Sequence, residues 1–139
     1  MIEHEIQTES EEPVFENDSA IAVRSNNLKT NTLIGSYVII PKSQVSSPFE
    51  LSDKEWLDTK KLLDEVKKYI DATYKPDGYN LGWNVGEIAG QSVAHAHFHI
   101  LPRYKDELYA GRGIRSWLKS AENVRESFKG ENKWLSIFF

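Results

Sequence analysis

The sequence predicts an α+β fold: one five-stranded antiparallel sheet, a long helix on one of its faces and a C-terminal helix, all in a single domain. Three observations carry this. Short β-branched and aromatic runs recur with turn residues between them. One segment repeats apolar residues at three- and four-residue steps. A later segment alternates histidine with apolar residues at period two.

The elements follow in chain order. "PVFENDSAIAVR" (13–24) reads as a short strand, a turn at Asn17-Asp18-Ser19 and a second strand of small apolar residues. "SNNLKTNT" is a polar connector, and "LIGSYVIIPK" is a β-branched third strand stopped by Pro41. After the loop "SQVSSPFE", Ser52 with Glu55 three residues later forms a capping box. A helix from about Asp53 to about Ala72 follows, with Trp56, Leu62, Leu63, Val66, Tyr69 and Ile70 on its core side. Asp58 falls with the lysines and other acids on the wet side. "KPDG" ends the helix in a turn, "YNLGWNV" is the fourth strand, "GEIAGQ" a glycine turn and "SVAHAHFHILP" the fifth strand. "IRSWLKSAENVRESF" (114–128) predicts the second helix, and "NKWLSIFF" is apolar enough to pack on the body or on a second subunit. The divisions are an acidic segment over 1–12, the main domain over 13–105 and a helical extension over 106–139.

Composition narrows the partners. The chain has no cysteine, which excludes disulfides and thiolate zinc sites. No apolar run approaches the ~20 residues of a membrane span. The acidic start "MIEHEIQTESEEP" is neither a secretory signal nor a transit peptide, so a cytoplasmic setting is expected. Residues 1–18 hold seven carboxylates and no Lys or Arg; the remainder sets 17 basic side chains against 14 acidic ones. That balance suits a small anionic ligand, not a broad face for duplex nucleic acid.

"GQSVAHAHFHILPR" (90–103) holds three of the four histidines, at every second position. On a strand, His95, His97 and His99 share one face at about 6.6 Å spacing, while Ala96, Phe98 and Ile100 face the other way. On a helix, His97 would oppose the other two. Two imidazolium charges at that distance repel by about 2.5 kcal/mol at an effective dielectric near 20, so the row should be mostly neutral at pH 7. A neutral ring nitrogen has a lone pair for attack on phosphorus, for a metal or for a proton. Gly86 and Gly90, just before the row, let backbone N–H groups approach an anion, and Asn84, Gln91 and Ser92 add polar side chains.

These residues resemble the histidine triad superfamily. "HAHFHIL" follows its His-φ-His-φ-His-φ-φ pattern, φ being apolar, and "NVGEIAGQSV" and "PRY" are similar to the flanks of its nucleotide hydrolases. "VFEND", "AIAV" and "GSYVIIPK" resemble the family's opening strands. The resemblance implies a five-stranded sheet with a long helix, a homodimer, and hydrolysis at the α-phosphorus of a nucleotide conjugate through a nucleotidyl-histidine. Substrates would be dinucleoside polyphosphates, nucleoside phosphoramidates or other nucleotidyl conjugates. By motif position, His97 is the nucleophile, His99 a donor to a phosphate oxygen, His95 the support of His97 and Ser92 the helper of the leaving group. Asn84, Gln91 and the backbone of Gly90 to Val93 would cradle the phosphates, and Arg103 would meet a distal one. Asn26 or Asn27 would touch the ribose. No cofactor is required; a divalent cation would accompany a polyphosphate. No nucleic acid or membrane partner is implied.

The sequence departs from the family at "RSNNLKTNTLIGSY", which lacks the usual proline and has Ser36 where histidine is common, and at Gln44, where "PKSQ" replaces "PKxH". Two other readings of the row stand beside this one: a metallohydrolase with a three-nitrogen zinc site, and a nucleotide-binding protein with little catalysis.

Overall fold

The computed structural model describes residues 12–25, 27 and 29–130. The expected sheet and long helix are present. The strands are β1 (Phe15–Glu16), β2 (Ala20–Arg24), β3 (Tyr37–Pro41), β4 (Gly78–Trp83) and β5 (Phe98–Arg103). They lie in the order β1-β2-β3-β5-β4, each pair antiparallel. The single α-helix among the described residues, α1, spans Asp53–Tyr74.

Period-two alternation makes the sheet two-faced. Along β3, Tyr37, Ile39 and Pro41 are buried and Val38 and Ile40 are half-buried. The buried face takes Ala20, Ala22, Tyr37, Ile39 and Ile100 from the strands, and Leu62, Val66 and Ile70 from α1. Each of those three helix side chains contributes about 1.5–3 kcal/mol on burial. The alanines of β2 let the helix axis approach closely.

The capping box forms: Ser52 Oγ accepts from Glu55 N at 3.1 Å, and Glu55 Oε1 accepts from Ser52 N at 2.8 Å. Such a cap contributes about 1 kcal/mol. The helix closes at Lys75, which takes the left-handed conformation and donates its N–H to Asp71 O.

Two helix assignments are corrected. Asp58, expected on the wet side, is buried: its carboxylate accepts from Ser19 Oγ and Lys54 Nζ, both at 2.6 Å. Asn17 Nδ2 also donates to Asp58 O, so this turn of α1 anchors the β1–β2 turn. The Lys54 ammonium first, and the Ser19 hydroxyl second, hold the Asp58 carboxyl below its usual range. Trp56, expected in the core, is 53% exposed and stacks on Trp83, ring centroids 6.2 Å apart at 17°.

The C-terminal helix is corrected as well. Residues 106–130 run through successive turns, with one 3-10 turn at Glu126–Phe128. Ile114, Trp117 and Leu118 have helical spacing, but all three stay exposed. A short helix is marginal without an apolar surface to cover, so the spacing alone does not fold it. The tail "NKWLSIFF" and the acidic residues 1–11 lie outside the described residues. No helix among the described residues is long and apolar enough to cross a membrane.

Candidate active site

The sheet's other face carries the candidate chemistry. Register sets Val38, His99 and Gly82 side by side across β3, β5 and β4, with Val23 beyond Val38 on β2. The histidine row is only partly on a strand. β5 begins at Phe98, and the chain from 93 to 95 bends, so His95 and His97 precede the strand. On the β4 side the ladder ends there because β4 ends at Trp83, the partner of Phe98; on the other side β3 runs on past Ile39, the partner of Phe98, to Pro41. The freed N–H of Ala96 bonds Val45 O in the loop after β3.

That bend brings the rings closer than a strand would. His97 and His99 meet edge to face with centroids 4.8 Å apart, inside the 6.6 Å expected from strand rise. His97 Nδ1 lies 3.0 Å from His95 O. A carbonyl can only accept, so the proton sits on Nδ1 and the Nε2 lone pair is free. By the same logic, His95 Nε2 donates to Pro41 O at 2.7 Å and braces the bend against the end of β3. His99 Nε2 is buried with no partner among the described residues. Burial first, and His97 second, push the His99 imidazole below its ordinary value. Desolvation thus outranks the ring–ring repulsion that the spacing suggested.

The glycine turn stands beside the rings. Gly86 and Gly90 hold positive φ (+87° and +98°), so a side chain at either is strained whatever the space. Gln91 locks the turn. Its Oε1 accepts from Gly86 N at 2.8 Å, and its Nε2 donates to Ser46 O at 2.9 Å and Ala94 O at 3.2 Å. The Gly90 N–H is taken up by Glu87 O. Gln91 and Gly90 therefore shape the turn, and their expected donor groups are already engaged. Among the described residues, the N–H groups of Ser92 and Val93 and the side-chain amide of Asn84 make no hydrogen bond, so these are the donors available.

Two cavities lie in this region, and of the histidines only His99 lines either of them. One, of about 460 Å³, lies along the turn between Ser46, Ser47, Glu87 and Ser92. The other, of about 340 Å³, lies on the β4 side of His99, between Leu33, Leu101, Ile114, Asn80 and Asn84. Ser46, Leu33 and Ile114 were missed by reading motifs, because they reach the site through loops that carry no periodic signal.

Arg103 is not at the site. It ends β5, four residues beyond His99, and its guanidinium is saturated. Nε donates to both Glu107 carboxylate oxygens, Nη1 to Asn80 Oδ1 and Arg112 O at 2.6 Å, and Nη2 to Tyr109 O at 2.9 Å. Its work is to tie the segment after β5 to the sheet. Asn27 is likewise occupied: its Oδ1 accepts from Lys29 N at 3.0 Å inside an exposed hairpin turn. Asn26 lies outside the described residues. Ser36 is buried with its hydroxyl unpartnered, and Gln44 is exposed. No group of three His, Asp or Glu side chains converges as a metal site among the described residues.

A histidine pair that follows a locked glycine turn on a five-stranded antiparallel sheet defines the class of protein. The HIT domain model matches residues 7–106, and the chain belongs to that family. It is 37% identical over 91 residues to a Schizosaccharomyces pombe protein named adenosine 5'-monophosphoramidase, a match covering 66% of this chain and 65% of that one. It is 39% identical over 72 residues to a Saccharomyces cerevisiae bis(5'-adenosyl)-triphosphatase, covering 51% of this chain and 35% of the relative. The chain thus spans about two thirds or less of these relatives. The crystal structure of a HIT family protein from Bacillus anthracis superposes with a TM-score of 0.58 at 31% identity, covering 67% of this chain and 64% of that one.

Proposed function

We propose that the protein is a nucleotide hydrolase that cleaves the α-phosphate bond of a nucleotidyl conjugate through a covalent nucleotidyl-His97. The observation that carries this is the His97 Nδ1 contact to His95 O, which leaves Nε2 as a lone-pair nucleophile beside the turn. The names of the phosphoramidase and triphosphatase relatives support the reaction class.

In the first step the His97 Nε2 lone pair attacks the α-phosphorus. The bond from phosphorus to the leaving group breaks, and that group departs with the electron pair and takes a proton, with Ser92 Oγ assisting. In the second step water attacks the phosphorus and the P–Nε2 bond breaks. The nucleoside monophosphate leaves and His97 is neutral again. The Ser92 and Val93 N–H groups and the Asn84 amide would hold the non-bridging oxygens, with His99 Nε2 as the near donor. Such donors act mainly by positioning and charge stabilisation. The outer face of β2 and β3, with Ile21, Val23, Val38 and Ile40 half-buried, offers a flat surface to a base. The route asks for no metal of the protein's own.

A homodimer and a cytoplasmic setting belong to the same proposal. β4 is a six-residue sheet edge, and open edges of that length favour pairing.

The test is mass spectrometry of protein quenched during turnover of an adenylylated amine. An adduct of one nucleoside monophosphate on the peptide containing His97 is expected, and it is absent in His97→Asn. Steady turnover with no adduct in rapid-quench samples would rule the covalent route out.

A further inference from the structure

We infer that Glu50, in the loop between β3 and α1, is a positioning residue for the reaction: it aims two successive backbone carbonyls at residues 91–96. This rests on the nucleotidyl-transfer reading of the site.

One carboxylate oxygen, Glu50 Oε2, accepts three hydrogen bonds. They come from Ser46 N at 3.1 Å, Ser46 Oγ at 2.7 Å and Ser47 N at 3.1 Å. A trans peptide unit is planar, so its N–H and its C=O point in opposite directions. The unit that carries the Ser46 N–H also carries Val45 O, and Val45 O accepts from Ala96 N at 2.9 Å. The unit that carries the Ser47 N–H also carries Ser46 O, and Ser46 O accepts from Gln91 Nε2 at 2.9 Å. Glu50 thus fixes one end of both units, while their other ends hold residues 91–96 at its two margins. Ser92 and Val93 lie between those margins, and His97 follows directly after Ala96.

A capping carboxylate on a 3-10 turn such as Pro48–Glu50 is ordinary in itself. What sets this one apart is where the opposite ends of its peptide units point. A further contact to the same segment, from His95 Nε2 to Pro41 O, rests on a residue that β3 already fixes. Val45 and Ser46 belong to no strand or helix, so the sheet does not orient their carbonyls. The Ser46 hydroxyl first, and the Ser46 N–H next, hold the Glu50 carboxyl below its usual range, so the ionised form is the acceptor at neutral pH. Glu50 lines neither cavity, so its removal acts through the loop and not on substrate.

The experiment measures kcat and KM for the methylamine phosphoramidate of a nucleoside monophosphate (the methylamide), and backbone amide exchange by NMR on the same proteins. Glu50 is exposed, so its variants keep the core. Glu50→Ala should lower kcat by about 10-fold, with KM within about 2-fold of wild type. The Ala96 N–H should exchange at least about 10-fold faster in it, while amides of β2 keep wild-type rates. Glu50→Gln retains an accepting oxygen and should bring kcat back to within about 3-fold of wild type. Gln91→Ala alone should cost about 10-fold in kcat as well. Independent effects would multiply to about 100-fold in Glu50→Ala/Gln91→Ala, whereas a shared route limits the loss to about 30-fold or less. Wild-type kcat in Glu50→Ala, wild-type exchange at Ala96, a loss carried by KM alone or a fully multiplicative loss in the double variant each overturns the positioning role and leaves the reaction class standing. A wild type that cleaves no nucleotidyl conjugate overturns the reaction reading, and the role of Glu50 in it, whatever the exchange rates show.

Discussion

The two ends of β5 are built on opposite rules. At the Phe98 end, polar atoms are left open: His99 Nε2 is buried without a partner among the described residues, and His97 Nδ1 donates to the His95 carbonyl, leaving Nε2 outside that bond. At the Arg103 end, polar atoms are matched. Arg103 reaches two side chains and two carbonyls, Tyr104 N and Glu107 are joined at 2.6 Å, and Tyr79 donates to Asp71 at 2.6 Å. Beyond them Tyr69 and Tyr74 both donate to Glu12, and Tyr37 to Pro13 O. Burial first, and the Glu12 charge next, push the Tyr37 phenol far above its ordinary value, so it stays a donor. A polar group left unpaired in a folded protein costs stability, and one end of this strand bears that cost where the other avoids it. Chemistry belongs at the open end and stability at the matched one.

The largest expected effect tests the open end. His97→Ala should lower turnover by more than about 1000-fold, because it removes the proposed nucleophile. Its thermal midpoint should stay close to wild type, because the half-buried ring lies outside the core cluster. A variant with wild-type turnover would remove the distinction between the two ends.

Arg103→Met should do the reverse. It leaves the Glu107 carboxylate and Asn80 Oδ1 without their donor, so a loss of about 2–3 kcal/mol in denaturant unfolding is expected. Activity per folded molecule should hold for a methylamide substrate. Loss of turnover with unchanged stability would mean that Arg103 acts on substrate.

Gln91→Ala sits between the two. Gln91 touches both strands of the glycine turn and the loop after β3, but its donors point at carbonyls. Its removal should lower kcat by about 10-fold through misplacement of Ser92 and Val93. KM should change less, and restoration by Gln91→Glu should be incomplete, since a carboxylate cannot donate to Ser46 O.

The sequence made much of this legible, for physical reasons that differ by region. The strands and α1 could be read because burial forces a period on them, and the Ser52–Glu55 cap because its partners are three residues apart. The histidine row could be picked out because three of the four histidines fall at alternate positions, a pattern that a buried core does not ask for. Asp58 could not be placed, because its partner Ser19 lies 39 residues away and nothing local marks the pair. The bonds that engage Arg103 could not be foreseen for the same reason: Glu107 is near in sequence, but Asn80, 23 residues back, is not. The helix expected over 114–128 had the right period and no surface to bury it on. The tighter His97–His99 contact accompanies the start of β5 at Phe98, where β4 stops, which is a property of the sheet and not of the motif.

The smallest effect concerns pH, and it sharpens the comparison further. His99 has its pKa lowered in the folded state, by burial first and by His97 second. Below about pH 6.5 the unfolded chain takes up a proton there that the native chain resists. The unfolded state then binds more protons, so stability falls as pH falls through that window and levels off below the depressed folded pKa. Glu107 at the matched end and Asp58 beside the β1–β2 turn also have lowered values, but from partners that hold the charged form. Their loss begins at lower pH, near the ordinary carboxylate range. Chemical denaturation between pH 7.5 and 5.5 should therefore show a slope in the wild type that His99→Asn flattens, while the steeper fall below pH 4.5 is common to both proteins. A slope between pH 7.5 and 5.5 that survives in His99→Asn would place the titrating group elsewhere.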